Sequence, residues 1–415
     1  MTDVDGGSTG SSRLPLVAGR ALAFTGILLV ALNLRTAVSS LSPVLLDVEA
    51  DLGLGPVQVG LLGMLPPLCF AVFAIATPLF ARRLGLERSL VIALGALVLG
   101  LVGRAAAADA GWLLGASALT FAAIGVGNVL LPPLVKRYFA DRVGLMTTLY
   151  VSAMSISTFL PPLLAAPLVS VADWRVSIGI WAVFAATALV PWIALLVHPS
   201  ARAGAALPEG ADPAWLRHLL RSPSAWALTT IFAVSSVNAY SLFAWLPRIL
   251  HDLIGADAAV GGALLSLFAA MGLPAALAVP VIAVRTGRVL TLVVVGVASF
   301  AVGYLGLLLA PGAAPVVWVV FVGLGPLMFP LALVLINLRT RTHAAAVALS
   351  GFVQSGGYLL AAIGPIAVGV LHDATGSWTV PLLLLLATTV PAAIAGVVLA
   401  RPHFVEDERE ARVAG

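Results

Sequence analysis

The chain has 415 residues, of which 61% are hydrophobic and 10% charged, and its net charge is +4. Soluble globular proteins carry about 25% charged residues. Forty charged side chains cannot coat a soluble body of this length, so the composition excludes a soluble enzyme and points to a polytopic membrane protein. The mean hydropathy of +1.09 agrees.

A spanning helix takes about 20 apolar residues. Apolar runs bounded by charge, proline and glycine occur at 20–46, 56–81, 88–107, 111–135, 142–170, 175–198, 223–250, 257–284, 289–310, 314–338, 343–371 and 378–400. They predict twelve transmembrane helices. The runs are long and lack the two-residue alternation of a membrane-barrel strand. The first run outlasts a signal-peptide core, and eleven more follow it. Residues 1–19 read as an amino-terminal tail. Residues 199–222, with Pro199, Pro208 and Pro213, form the longest connection and part six runs from six. Residues 401–415, with Glu406, Asp407, Glu408 and Glu410, read as an acidic, solvated tail. Cys69 is the single cysteine, and the six histidines form no metal-ligand spacing, so no metal or cofactor is called for. A membrane-embedded enzyme would need clustered acids or histidines at one interface, and none is seen.

Charge orients the spans. Eighteen Lys and Arg fall on the face that holds both termini, against Arg104, Arg175 and Arg248 on the other. The positive-inside rule predicts cytoplasmic termini and a multi-pass protein of the inner, cytoplasmic membrane. Such short basic loops speak for topology rather than nucleic acid. The remaining cation, Arg35, lies in the middle of the first run.

The halves echo each other. Pro78, Arg83 and Gly85 give P-x4-R-x-G, and Pro280, Arg285 and Gly287 repeat it 202 residues on. Pro161 and Trp174 return as Pro365 and Trp378 at an offset of 204. Asn33 and Asn238 each precede a proline late in their run, Pro43 and Pro247. Two parallel six-helix halves around a midplane site form a secondary-transporter architecture.

With twelve spans, a central loop and the repeated R-x-G turn, the chain resembles the major facilitator superfamily. Within it, the chain is similar to the cyanate and 2-nitroimidazole permease family. The likeness rests on NLRTAVSSLSPVL (33–45), GLLGMLPPLCF (60–70), ARRLGLER (81–88), GVGNVLLPPLVKR (125–137), AWLPRIL (244–250) and INLRTRT with ALSGFVQSGGYLLAAIGP (336–365). It implies an all-α membrane protein with twelve transmembrane helices in two pseudo-symmetric six-helix bundles, 20–198 and 223–400. It also implies alternating access and a cargo of cyanate-like anions or nitroimidazole-like aromatics. One position departs from the superfamily: Arg82 stands where an acid usually precedes the first Arg of the turn.

Arg35 is the leading candidate anchor. A cation at mid-bilayer costs about 2.5–3.5 kcal/mol on insertion scales. No Asp, Glu or Lys lies at its depth, so a guanidinium facing an anionic or polar substrate is one reading and a structural Arg held by backbone carbonyls and by Asn33 or Asn128 is the other. Asn33 is a candidate for orienting Arg35 or lining the cavity edge, or else for helix–helix bonding, and Asn128, beside Gly127 and before Pro132 and Pro133, for gating or substrate contact. On the seventh run, Asn238, Tyr240 and Trp245 are candidate contacts. Tyr240 matches Arg35 in the repeat, which suggests a two-sided clamp, whereas Trp245 also fits an interface belt. Gln354 and Tyr358 share a face at i and i+4, and Tyr150 matches Gln354 in the first half. Arg82, Arg83, Asp141 and Arg285 are gate candidates: Asp141 caps the fifth helix or pairs with Arg82 or Arg83. The expected function is secondary active transport of a small anionic or polar organic solute, cyanate-like or a carboxylate. The alternative is export of nitroimidazole-like or other small aromatic drugs. The expected partners are the solute, the lipid bilayer and, if transport is coupled, protons. The expected unit is a monomer.

Overall fold

The computed structural model describes residues 18–197 and 213–408. Most of the tail 1–19, residues 199–212 of the central connection and residues 409–415 with Glu410 lie outside the described residues. Among the described residues, twelve helices are long and apolar enough to cross a membrane. In chain order they are Gly19–Leu52, Pro56–Leu84, Leu86–Ala105, Ala110–Tyr138, Val143–Val171, Trp174–Val197, Pro223–Ile254, Ala258–Thr286, Val289–Leu309, Pro315–Leu338, Ala344–Thr375 and Thr379–Leu399. Helices satisfy their own backbone bonds, which lipid cannot do for them. Ile75, Leu79, Leu99, Val183, Val190 and Ile394 stand exposed, as lipid-facing side chains should.

The first span is not one continuous helix. It runs helically from Ala18 to Asn33, breaks at Leu34 and Arg35, and resumes in a short helix, Thr36–Ser39. A 3₁₀ turn at Ser42–Val44 follows, where Pro43 removes a backbone donor. The Thr36 hydroxyl donates to the Asn33 carbonyl that the break frees, at 3.1 Å. Irregular backbone at membrane depth is tolerated where protein or a cavity covers it. The eighth, tenth and twelfth spans also contain interruptions, at Met271, Gly325–Leu327 and Thr388.

The repeat is visible as matched geometry. Gly85 and Gly287 close the two R-x-G turns with positive φ, 85° and 62°, and each N–H returns to the residue four before it. Glycine meets that backbone without a Cβ penalty. Asn33 and Asn238 each donate to the carbonyl four residues back, both at 2.8 Å. Trp174 Nε1 donates to Asp51 at 3.2 Å, and Trp378 Nε1 donates to Asp252 at 3.0 Å. Each tryptophan therefore ties the last span of its half to the end of the first.

Hydrogen bonds and ion pairs between the halves gather away from the basic face that carries the R-x-G turns. On this far side Ser42 donates to the Ala244 carbonyl at 3.1 Å, and Ser266 donates to the Phe159 carbonyl at 2.6 Å. Arg248 of the seventh span bonds Glu49 of the first. Two glycines make matched close approaches: a Cβ at Gly60 would sit 2.8 Å from Ile366 Cα, and one at Gly262 would sit 2.5 Å from the Pro162 carbonyl oxygen. The two positions are 202 residues apart, so one contact is the symmetry mate of the other. The far side is thus drawn shut across the halves.

Two expectations at the basic face change. The central connection includes a helix, Pro213–Leu219. Residues 404–408 are docked rather than solvated. Val405 is fully buried, its N–H donates to the Arg339 carbonyl at 3.0 Å, and His218 Nε2 lies 2.8 Å from its carbonyl oxygen. Glu406 accepts from the backbone of Arg341 and Thr342, Asp407 pairs with Arg341, and Glu408 accepts from Ser222 and Ser224. The tail's acids complement basic and hydroxyl groups at helix ends, a pairing that charge counting along the sequence does not reveal.

Candidate functional site

The break at Arg35 turns its side chain toward the other half of the molecule. Its guanidinium interacts with the hydroxyls of Tyr240 and Tyr358. It also sits over the Phe70 ring, 5.5 Å from the centroid. Phe70, Tyr240 and Tyr358 pack edge to face in a triangle, with centroid separations of 5.8–6.3 Å. Such T-shaped packing suits aromatic quadrupoles and fixes the rings. Arg35 forms no ion pair among the described residues, and its Nη1 is buried without a hydrogen-bond partner. Leaving a buried polar group unpaired costs about 1–3 kcal/mol, more for a charged one. The site therefore holds an unspent cation, three rings and two hydroxyls, contributed by both halves.

The other sequence candidates divide. Gln354 is half-buried one turn from Tyr358, and its amide donates to Ser350 at 2.7 Å. Asn33 is fully buried with its Oδ1 unpartnered. Asn128 and Tyr150 are half-buried and make no side-chain hydrogen bond among the described residues. Next to Asn128, Gly127 lets Leu34 of the break pack closely. Asn238 does not join the Arg35 cluster. Its amide donates to Val234 and to Thr388 at 2.9 Å, and its Oδ1 accepts from Tyr304 at 2.6 Å. Two residues of helical spacing turn it away from Tyr240. Trp245 is buried, donates to the Pro365 carbonyl at 2.9 Å and packs against Trp378, so it is not an exposed belt residue.

The gate candidates also move. Asp141 pairs with Arg20 and Arg142, not with Arg82 or Arg83, and it caps no helix. Desolvation pushes its carboxyl up, but the Arg20 hydrogen bond, a backbone hydrogen bond and the charges of Arg20 and Arg142 together outweigh this and hold its pKa below the ordinary value. Arg82, Arg83 and Arg285 are exposed and form no ion pair among the described residues. Glu87, two residues past the turn glycine, accepts from Tyr138 at 2.8 Å and pairs with Arg137 at 3.2 Å, both at the end of the fourth span.

Two residues escaped the sequence reading. Phe70 was one apolar residue among many. Arg104 counted as a far-side loop charge beside Arg175 and Arg248. Those two do pair at the far side, with Asp51 at 2.6 Å and with Glu49 and Asp252. Arg104 instead is wholly buried, over the Phe121 ring at 5.5 Å. Its Nη1 donates to the Ala37 carbonyl at 3.0 Å, while its Nε and Nη2 have no partner. It lines a small cavity of about 30 Å³ together with Ala37, Val38, Ser42, Tyr240 and Phe243. Its position one residue from a helix end gave no sign of that burial.

The pattern of the Major Facilitator Superfamily matches residues 27–350. The chain belongs to this superfamily. It is a multi-pass membrane transporter and not an enzyme. It is 35% identical over 393 residues to the uncharacterized transporter YycB of Bacillus subtilis strain 168, covering 94% of this chain and 96% of that one. It is 33% identical over 405 residues to the 2-nitroimidazole transporter of Escherichia coli strain K12, covering 95% and 97%. The cyanate transport protein CynX of the same organism is 28% identical over 354 residues, covering 85% and 90%. Among solved structures, an inward-facing, unoccupied bacterial homologue of the human lysosomal transporter Spinster superposes with a TM-score of 0.75. The match is at 13% identity and covers 92% and 96% of the two chains. That likeness speaks to the fold alone.

Proposed function

We propose that this protein carries a small anionic or polar organic solute, cyanate-like or a carboxylate, across the cytoplasmic membrane by alternating access, with Arg35 as the anchor. The observation that carries this reading is the Arg35 guanidinium, unpaired by any acid among the described residues and faced by Tyr240 and Tyr358 from the opposite half. A planar guanidinium suits a carboxylate or a small linear anion. An anion there bonds both halves at once, and that differential contact can favour one arrangement of the halves over another. Asn33, Asn128, Tyr150 and Gln354 border the same route. The basic face is cytoplasmic, so the closed far side excludes the exterior and the site is reached from within. One chain forms the whole pathway and acts as a monomer.

A second reading has its own support. The Phe70, Tyr240 and Tyr358 rings would also hold a small aromatic, and one relative is named for 2-nitroimidazole. The test is proteoliposome flux of cyanate, formate, benzoate and neutral 2-nitroimidazole, with and without a pH gradient. The anion reading expects saturable flux of at least one anion, lost in folded Arg35→Ala protein. Flux of the neutral heterocycle alone, retained in Arg35→Ala, would establish the drug-type reading instead.

A further inference from the structure

Among the described residues, Arg104 is the one wholly buried arginine of the far side, and two of its nitrogens have no partner. Among the described residues no carboxylate pairs with it. The carbonyl of Ala37 takes one N–H and fixes the side chain against the break in the first span. The free nitrogens belong to a side chain that borders the cavity between the first four spans and the seventh. The cavity wall is otherwise mostly apolar: Leu41, Leu45, Val59, Leu62, Pro66 and Phe243 contribute no polar side chain. Ser42 spends its hydroxyl on the Ala244 carbonyl. Tyr240 borders this cavity and also interacts with Arg35, so it is common to both arginine environments.

We infer that Arg104 and this cavity form a second anion-binding site, on the far side of the Arg35 site, for a small monovalent anion such as a carboxylate or a linear pseudohalide. A fixed cation in an apolar wall binds by charge-assisted hydrogen bonds that water competes with poorly. Two adjacent free N–H groups suit two acceptor positions on one anion. The site extends the proposed route, with the anion handed between Arg104 and Arg35 past the Tyr240 hydroxyl. It rests on the transport reading for its purpose but not for its detection. Both ligands are held at sites that use different arginines, so binding can be read one site at a time.

The test is equilibrium binding of radiolabelled formate and thiocyanate to the full chain in detergent. Arg35→Ala removes the first site. That protein should still bind about one anion per chain, because Arg104 keeps its own free donors. Arg35→Ala combined with Arg104→Gln should lose the remaining binding. Val38→Phe in the Arg35→Ala background fills the cavity without touching Arg104 and should weaken binding by about tenfold or more, by steric exclusion. In proteoliposomes, Arg104→Lys should raise KM for anion presented to the far side several-fold and leave KM from the basic face unchanged. A merely structural arginine would not produce that sidedness. The inference is overturned if folded Arg35→Ala protein binds neither anion, or if neither Arg104→Gln nor Val38→Phe changes what it binds. Should the Arg104→Gln protein fail to fold, the Val38→Phe comparison decides. Full transport by Arg35→Ala would sink the Arg35 reading while leaving this binding measurement intact.

Discussion

The two halves share a repeat, yet they use their polar groups in opposite ways. In the carboxy-terminal half, Asn238 is saturated by Val234, Thr388 and Tyr304, all within its own bundle. Its mate Asn33 has the same backbone bond but an unpartnered Oδ1. Two residues on, Tyr240 matches Arg35; Leu307 stands 203 residues after Arg104. Unspent cations thus lie in the amino-terminal half, and the carboxy-terminal half answers with aromatic hydroxyls. Duplication supplied the frame, and divergence at a few buried positions supplied the chemistry. Saturated networks add stability, whereas unpaired buried donors are costly unless a ligand uses them.

The sharpest way to break this contrast is Arg35→Ala. Removing one partner of a desolvated charged contact costs about 2–5 kcal/mol, so anion affinity should fall about 30-fold or more while melting temperature holds. Tyr358→Phe removes one neutral hydroxyl from the opposite half and should weaken anion transport by about tenfold, read as kcat/KM. Tyr304→Phe probes the saturated side. It should cost about 1–3 kcal/mol of stability, because Asn238 loses a buried partner, yet leave KM within about twofold. A large KM effect there would dissolve the division between the halves. The smallest effect belongs to Asp141→Asn at the exposed basic face. The Arg20 bond lowers the folded pKa, so its stabilisation is present above the unfolded value, about 3.9, and fades as pH falls through the folded value. Wild type should therefore melt slightly above the variant at pH 7 and level with it in strong acid.

Much of this was written in the sequence. Long apolar runs with charged boundaries gave all twelve spans, because lipid enforces length and self-satisfied backbone. The cost of a mid-span cation singled out Arg35, and repeat arithmetic pointed to Tyr240 opposite it. The remainder depended on rotation and depth, which residue spacing constrains loosely. Asn238 and Tyr240 are two residues apart, yet one turns inward to its own bundle and the other toward Arg35. The helix break at Leu34 and Arg35 has no proline to announce it. Phe70 carries no polar mark in an apolar run, and Arg104 was disguised by its place at a helix end. The acidic tail looked solvated because its basic partners, Arg341 and the helix ends near Ser222, lie far away in the chain.

The most direct test of the central claim compares anion uptake by wild-type, Arg35→Lys and Arg35→Ala proteins in the same proteoliposomes, normalised to folded protein. An anchor that works through charge and a planar fork predicts the order wild type, then Lys, then Ala, with Ala near the empty-liposome background. Equal uptake by all three would contradict the account and return Arg35 to a structural role.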